Sequence, residues 1–227
     1  MRTTYLVLLM LSISALIAAI VSLAVELTRQ HRHRPAWVVE THGSDGKVCT
    51  VHPGHKADSA PAIIQALNTC GRNSTGRGKV VFLNETYLVE TVMVTTDLHN
   101  LDIDLQGTLL VSPPLQCPYN MKHPLNPVKW STDIQYWLKH SVRDGYQNQS
   151  SAWQFGGSDL HWYGNGYGTF DGNGNTWYKW NAGRSNVIGR PHAITLINTT
   201  DSVFESTRFI NSQMWCVRFT SAYKRLY

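Results

Sequence analysis

The sequence has 227 residues, of which 42% are hydrophobic, so it is long and apolar enough for one domain with a sizeable core and is not a disordered chain. The formal net charge is +5, but residues 1–34 hold +3 of it, from four arginines against Glu26. The remaining +2 is too small and too scattered for a phosphate-binding stripe, which argues against a nucleic-acid-binding function.

The chain begins with an apolar run at residues 5–25, interrupted only by serines and preceded by Arg2. This pattern is typical of an export signal or a membrane anchor, and either one exports the rest of the chain. The length of the run favours an anchor, whereas Ser22-Leu23-Ala24 offers small residues to a signal peptidase. We prefer a signal peptide at residues 1–24 and a secreted protein, with a membrane-anchored protein as the alternative.

Residues 25–47 are polar and interrupted by proline and glycine, which predicts a linker or pro-segment. The folded body is expected at residues 48–227. Asp58-Ser59-Ala60-Pro61 predicts a helix start, apolar residues follow at helical spacing, and Gly71 predicts its end. We expect this short helix to cap the fold.

Export predicts disulfides and N-linked glycans. Cys49 and Cys70 flank the predicted helix and are the natural pair, while the partners of Cys117 and Cys216 stay open. No Cys-x-x-Cys or His-x-x-x-His spacing supports a zinc site, so we expect neither a metal nor a cofactor. Four sequons predict glycans on Asn73, Asn84, Asn148 and Asn198.

From Lys79 the apolar period becomes alternating, which predicts short strands. The predicted strands are residues 80–83, 86–94, 101–105, 151–155, 160–163, 193–197, 202–209 and 217–220. Short strands with glycine and asparagine turns are typical of a sandwich, barrel or solenoid, and their recurrence favours the stacked coils of a β-helix. Asp102 and Asp104 share one strand face, and we interpret them as solvent-facing acids rather than a catalytic pair.

Residues 111–129 hold five of the nine prolines in the chain, together with Cys117. Since proline cannot donate to a strand ladder, this segment is predicted to be an insertion rather than an ordinary coil. We interpret it as a long surface loop. A second hypothesis is a translated intron, because the codons of Val111 and Lys129 can supply the GT and AG at its ends.

The most specific stretch is the glycine run, residues 164–178, which reads GNGYGTFDGNGNTWY. It lacks the third glycine of a dinucleotide-binding loop, and no Gly-Lys-Ser/Thr follows. A calcium loop starting at Asp171 would have Thr176 in place of the turn glycine and Ala182 in place of the bidentate glutamate. The run therefore suits a tightly wound all-β coil or a sugar-binding surface.

Several motifs carry a family resemblance, namely Cys49-Thr50-Val51, the predicted helix, residues 107–110, the glycine run, Arg190-Pro191-His192 and residues 209–215. Together they resemble the fungal exo-polygalacturonases of glycoside hydrolase family 28, over roughly residues 48–215 without the insertion. The resemblance implies an all-β fold, a right-handed parallel β-helix capped by the helix. It also implies a secreted monomer that hydrolyses α-1,4-linked galacturonic acid, with pectin or oligogalacturonate as its partner.

The resemblance further implies inversion at the anomeric carbon, with the acid and base supplied by an Asn-Thr-Asp motif and a later Asp-Asp pair. The chain has neither; Asn198-Thr199-Thr200-Asp201 comes nearest but stands too early. We therefore assign no catalytic residue, and expect an N-terminal part of such an enzyme that is inactive alone.

Candidate substrate contacts are Trp177, Tyr178, Arg190 and His192, although aromatic rows in a β-helix are more often core stacks and Arg190 can simply pin a turn. Two other functions stay open. One is a non-catalytic secreted β-helix that binds cell-wall polysaccharide. The other is a pectin lyase-like protein, which would need calcium and a basic residue, and no evident calcium cluster supports it.

Overall fold

The structure, a computed structural model, describes residues 15–23, 35–43, 46–54, 57–72, 76–111, 134–143, 147–184 and 187–220. The chain divides into two units, Met1–Arg34 and Pro35–Tyr227. In the first unit residues 15–23 are helical (α1). Within the described residues, no helix combines the length and apolar character needed to cross a membrane. The rest of the predicted leader and nearly all of the 111–129 insertion lie outside the described residues.

The second unit consists mostly of strands. Its first elements are β1 (Trp37–His42), β2 (Lys47–His52), α2 (Ala60–Gly71), β3 (Gly78–Phe82), β4 (Thr86–Val89), β5 (Met93–Leu105) and β6 (Thr108–Val111). Next come α3 (Ile134–His140), β7 (Val142–Arg143), β8 (Ser150–Ser151), β9 (Trp153–Tyr163), β10 (Thr169–Asp171) and α4 (Gly174–Asn181). The last are β11 (Pro191–His192), β12 (Ile194–Ile197), β13 (Val203–Glu205), β14 (Arg208–Ile210) and β15 (Val217–Thr220).

These strands form mainly parallel ladders. The main sheet has the order β1-β2-β3-β5-β9-β12-β15, with β13 also paired to β9, and a second sheet has the order β14-β10-β6-β4. A small third sheet joins β11, β8 and β7. Among the described strands, only β1–β2 and β7–β8 pair antiparallel. Along the chain β3, β5, β9 and β13 alternate with β4, β6, β10 and β14, so the backbone passes repeatedly between the two larger sheets.

The core is made of side chains that stack in register between neighbouring strands. One row in the main sheet contains Val80, Ile103, Trp162 and Phe204. A row in the second sheet contains Tyr87, Leu109, Phe170 and Phe209. The rings of Trp162 and Phe204 stack with centroids 4.9 Å apart, and Trp162 reaches Phe170 at 5.7 Å. The two rows therefore pack against each other between the sheets.

Helix α2 ends at Gly71, as predicted, and buries its apolar face against the strands. Its start is held by Asp58, whose Oδ1 accepts the Ala60 and Glu90 backbone N–H groups, each at 3.0 Å. Asp58 Oδ2 accepts the Thr91 hydroxyl at 2.5 Å. This carboxylate therefore joins the helix start to the segment between β4 and β5.

The structure corrects the predicted linker at residues 25–47, because Trp37–His42 form strand β1. This strand pairs with β2 in register from Trp37 opposite His52 to His42 opposite Lys47. The Trp37 ring stacks on the His52 ring at 4.8 Å. Antiparallel pairing with the next strand in the chain thus orders a segment whose local composition indicates a linker. Helices α3 and α4 were likewise not predicted.

Cys49 and Cys70 form a disulfide with Cα atoms 6.2 Å apart, which ties β2 to the last turn of α2. Both cysteines are fully buried. By contrast, Cys216 is exposed and has no disulfide partner among the described residues. The expected pair is therefore the one that the structure contains, and it closes a loop with a sequence separation of 21.

Replacing both Cys49 and Cys70 by alanine should lower the free energy of unfolding by about 3 kcal/mol, because the cross-link restricts the unfolded chain. Urea unfolding followed by tryptophan fluorescence measures the change. Cys216→Ala, which removes an exposed thiol outside the cross-link, is the matched control and should leave the midpoint unchanged. A double variant as stable as the original chain would contradict the prediction.

Glu90 generates a second prediction, on pH. Burial, with a contribution from the Asp58 carboxylate, raises the pKa of Glu90 from 4.5 to about 7. The folded chain therefore binds more protons than the unfolded chain between these values, and stability falls as the pH rises through this window. Glu90→Gln should raise the melting temperature at pH 8 and leave it unchanged at pH 4.

The matched control for this experiment is Glu85→Gln. It removes the same charge from an exposed position that, like Glu90, lies a few residues before β5. Its melting temperature should follow that of the original chain at both pH values. Thermal unfolding followed by circular dichroism gives both comparisons. If Glu90→Gln failed to stabilise the chain at pH 8, the ionised carboxylate would not be the destabilising group.

Candidate functional site

The glycine run begins with a turn after β9. Asn165 and Gly166 have left-handed backbone conformations, with φ of 55° and 76°. The Asn165 side-chain amide donates to Asp104 Oδ1 at 2.8 Å, which fastens the turn to β5. The run then continues as β10 and enters α4. The first part of the run is therefore a tight turn between strands, which agrees with the interpretation of the run as part of a tightly wound all-β coil.

The second part of the run lies directly against residues 210–213. Gly172 N–H donates to Ile210 O at 3.1 Å, and Gly174 N–H donates to Asn211 O at 2.6 Å. A Cβ atom at Gly172 would lie 2.6 Å from Ser212 Cα, and one at Gly174 would overlap Ser212 O. Glycine is therefore required here because two backbone segments approach too closely for any side chain.

The residues that follow β14, Asn211–Trp215, are named the 211–215 segment. Asn211 donates through Nδ2 to Asp171 Oδ1 at 3.3 Å and accepts the Asn175 N–H through Oδ1 at 3.1 Å. Asp171 Oδ1 also accepts the Asn173 N–H at 2.9 Å. Side-chain hydrogen bonds of Asn211 and Asp171 therefore hold the glycine run and the 211–215 segment together, in addition to the backbone hydrogen bonds of Gly172 and Gly174.

Three of the four predicted substrate contacts converge on this segment. The Tyr178 hydroxyl donates to Ser212 O at 2.6 Å, and Arg190 Nε donates to Gln213 O at 2.5 Å. The His192 ring lies 5.3 Å from the Trp215 ring. Trp177 packs instead with its ring edge-to-face on Trp180, at 6.1 Å.

Burial separates these residues into two groups. His192, Trp177 and Arg190 are 0%, 4% and 8% exposed, so the protein itself covers most of their surface. Tyr178 is 51% exposed and Trp215 is 48% exposed. Trp215 was not among the predicted contacts, although it closes one of the motifs that carry the family resemblance. Its exposure arises from the stacking of segments and has no local sequence signal.

The electrostatics of the site centre on Arg190. Its guanidinium carbon lies 5.4 Å from the centroid of the Tyr178 ring, an arrangement that favours a cation over an aromatic face. Burial lowers the pKa of Arg190, and its interaction with Tyr178 opposes the shift. Nearby, His192 Nε2 lies 2.7 Å from Gln149 Oε1. A positive charge therefore stands in a polar, mostly buried setting.

Asp102 and Asp104 are held by cations on the outer face of the main sheet. Asp102 Oδ1 accepts Arg77 Nε at 2.7 Å, and Lys79 Nζ lies 3.4 Å from Asp104 Oδ2. Although burial opposes it, hydrogen bonds to Asp102 and Asp159 raise the pKa of Arg77. These acids and bases neutralise one another, which fits a structural role.

Three predicted glycan positions lie at the surface. Asn84, Asn148 and Asn198 are all exposed, while Asn73 lies outside the described residues. Among the residues that the structure describes, no group of three or more histidine, cysteine or acidic side chains could hold a metal ion.

Comparison with known proteins gives the family. The chain is 45% identical over 170 residues to alpha-L-rhamnosidase rgxB of Aspergillus niger, a match that covers 74% of this chain and 34% of the relative. It is 31% identical over 166 residues to exopolygalacturonase X of Aspergillus niger, covering 72% of this chain and 32% of the relative. These matches agree with the motif resemblance. The chain belongs to glycoside hydrolase family 28.

A solved structure agrees with this family 28 membership at the level of the fold. Endo-xylogalacturonan hydrolase from Aspergillus tubingensis superposes with a TM-score of 0.52 at 22% identity, over 79% of this chain and 42% of that protein. No protein-family model matches the chain. The chain spans about a third of the length of the curated relatives described above.

The motif letters of family 28 that occur in the chain do not form a catalytic site. Asp201, which ends the Asn198-Thr199-Thr200-Asp201 sequence, is exposed in the turn between β12 and β13. Among the described residues, these motif letters therefore do not come together as a pair of catalytic acids.

The contact between the glycine run and the 211–215 segment generates a third prediction. Gly174→Ala should lower the free energy of unfolding by about 2 kcal/mol or more, because its Cβ would overlap Ser212 O. Gly166→Asn is the control within the same run: its Cβ meets no atom within 4 Å, and asparagine tolerates a positive φ. Urea unfolding distinguishes the two variants. Equal unfolding midpoints would contradict a steric overlap at position 174.

Proposed function

We propose that this chain is part of a secreted pectin-degrading glycoside hydrolase that releases galacturonic acid from α-1,4-galacturonan. The observation that carries this proposal is the alignment of 72% of the chain with exopolygalacturonase X. The cationic Arg190 beside the exposed Tyr178 ring suits a substrate whose sugar residues each bear a carboxylate. In its biological role the whole protein would break down the pectin of cell walls.

The proposal extends to the fold, which we infer to be a right-handed parallel β-helix capped by α2. Alternation of the chain between two parallel sheets, and rows of equivalent side chains in register, support this fold. Such stacking gives an extended surface along the coils, which fits a linear polysaccharide.

The reaction would invert the anomeric carbon. A carboxylic acid protonates the departing glycosidic oxygen while a carboxylate removes a proton from water, which attacks from the opposite face of the sugar. The sequence contains no adjacent Asp-Asp pair and no Asn-Thr-Asp motif. We therefore assign neither catalytic role to this chain, and infer that it contributes substrate binding and is inactive alone.

Secretion is supported by the apolar leader and by the exposed positions of the Asn84, Asn148 and Asn198 sequons. The buried Cys49–Cys70 disulfide also suits an oxidising compartment. We infer a secreted monomer.

An α-L-rhamnosidase is the second candidate, favoured by the 45% identity to alpha-L-rhamnosidase rgxB. The two activities differ in the sugar released, because galacturonic acid is charged and rhamnose is neutral. A third outcome, binding of polysaccharide without participation in any hydrolase, corresponds to the non-catalytic alternative.

Replacing the aligned segment of exopolygalacturonase X by this chain tests the proposal directly. The chimera should release galacturonic acid from polygalacturonate, and proton NMR of the first product should show the β anomer, as inversion requires. A matching chimera in alpha-L-rhamnosidase rgxB that is active, beside an inactive polygalacturonase chimera, would favour rhamnoside hydrolysis. If neither chimera were active, the hydrolase proposal would be wrong.

The unmodified chain is the control for these chimeras. Incubated with oligogalacturonate it should give no product, since it lacks the acid pair. Release of galacturonic acid would contradict the inferred inactivity, and unsaturated products would indicate a lyase.

A further inference from the structure

The three sequons within the described residues differ in how far the fold covers them. An oligosaccharyltransferase recognises two groups of an Asn-x-Ser/Thr sequon, the asparagine amide and the hydroxyl of the third residue. In the first of these sequons Asn84, Glu85 and Thr86 are all exposed. Thr86 begins β4, which is an edge strand of the second sheet. The residues that carry both recognised groups of the Asn84 sequon therefore lie at the surface of the folded chain.

The Asn148 sequon is exposed at one end only. Asn148 is exposed, whereas Gln149 is 2% exposed and Ser150 is 0% exposed. The Ser150 hydroxyl oxygen is fully enclosed. Ser150 belongs to β8, the central strand of the third sheet, which lies between β7 and β11. Gln149 Oε1 also lies 2.7 Å from His192 Nε2. A transferase therefore cannot reach the Ser150 hydroxyl unless β8 leaves its neighbours.

The backbone at each asparagine gives the same order. A transferase binds its acceptor as an extended segment, which requires a negative φ at the asparagine. Asn148 is left-handed, with φ of 56°, and its carbonyl accepts the Gly189 N–H at 3.2 Å. Asn84 has a negative φ. The Asn198 sequon lies between these two, because its φ of 48° is also left-handed while Thr200 is only half-buried.

The transfer itself forms one bond and breaks one. The donor is an oligosaccharide joined to a lipid through a diphosphate, and the asparagine side-chain nitrogen attacks the anomeric carbon of its first sugar. The new carbon–nitrogen bond forms as the carbon–oxygen bond to the diphosphate breaks, the nitrogen loses a proton, and the lipid diphosphate departs. The acceptor contributes nothing to this reaction beyond the sequon. Access to the sequon therefore decides whether it is modified.

We propose that Asn148 is a glycosylation site that folding closes. It accepts an oligosaccharide only while β8 is separated from β7 and β11, whereas Asn84 accepts one in the unfolded and in the folded chain. A glycan attached earlier is compatible with the finished fold, because Asn148 itself is exposed. The inference goes beyond the proposed hydrolase, and it rests on the proposed secretion only for the compartment in which the transfer occurs.

Oligosaccharide transfer in vitro to the full chain, produced without glycans, tests this proposal. The folded chain and the reduced and alkylated chain, shown to be unfolded by circular dichroism, are each incubated with a purified oligosaccharyltransferase and its lipid-linked donor. Mass spectrometry of the glycopeptides gives the initial rate at each asparagine. Folding should lower the rate at Asn148 at least tenfold, leave the rate at Asn84 within twofold, and give an intermediate decrease at Asn198. An equal rate at Asn148 in the two forms would overturn the proposal.

Cysteine variants test whether opening of the fold controls the reaction. Cys49→Ala combined with Cys70→Ala removes the buried cross-link, so the native chain unfolds more often. Under conditions in which the chain is still mainly folded, the rate at Asn148 should rise at least fivefold and the rate at Asn84 should not change. Cys216→Ala is the matched control and should alter neither rate. A destabilised double variant that keeps the original Asn148 rate would contradict closure by folding.

Two further outcomes separate the parts of the proposal. In the unfolded chain, Ser150→Ala should abolish transfer to Asn148 and leave Asn84 unchanged, and continued transfer to Asn148 would show that burial of Ser150 is irrelevant. Expression in a eukaryotic secretory host tests secretion separately. A chain that acquires no glycan there would refute secretion, while the rates in vitro still decide closure. Glycosylation in the host with equal folded and unfolded rates at Asn148 would refute closure alone.

Discussion

The structure depends on in-register stacking of equivalent side chains along parallel ladders. Each buried ring of one strand lies against its counterpart in the next, as Trp162 lies on Phe204 and Phe170 on Phe209. A shift of one residue would turn a whole row from the core to the solvent. Because paired strands lie about 4.8 Å apart, the corners between them must be equally thin. The glycines at positions 172 and 174 meet this demand, since any side chain there would strike the next layer.

The candidate site is a product of the same constraint. Once the glycine run holds the 211–215 segment against its neighbours, Tyr178 and Arg190 bond to adjacent carbonyls of that segment, at Ser212 and Gln213. The buried His192 ring packs against the Trp215 ring. The buried members of the site are thus structural supports, whereas Tyr178 and Trp215 are about half exposed to solvent.

The sequence predicts the features that local signals encode. Helix α2 has its capping carboxylate, apolar period and terminal glycine within one stretch, and most strands alternate visibly. Strand β1 escaped prediction because its order comes from pairing with β2. Helix α4 consists largely of weak helix formers and is stabilised by contacts with distant residues. Trp177 and Tyr178 could not be separated beforehand, yet neighbours in a helix point in different directions, so one is buried and the other exposed.

Strand β1 is an edge strand of the main sheet. It runs against β2, while β2, β3, β5 and β9 all run in the same direction. A parallel ladder that grew from this edge would meet a strand of the opposite direction, whose last four residues are exposed and include Glu40. The two ends of this ladder therefore differ, because an antiparallel strand lies at the β1 end while the strands that follow β2 are joined by parallel pairing.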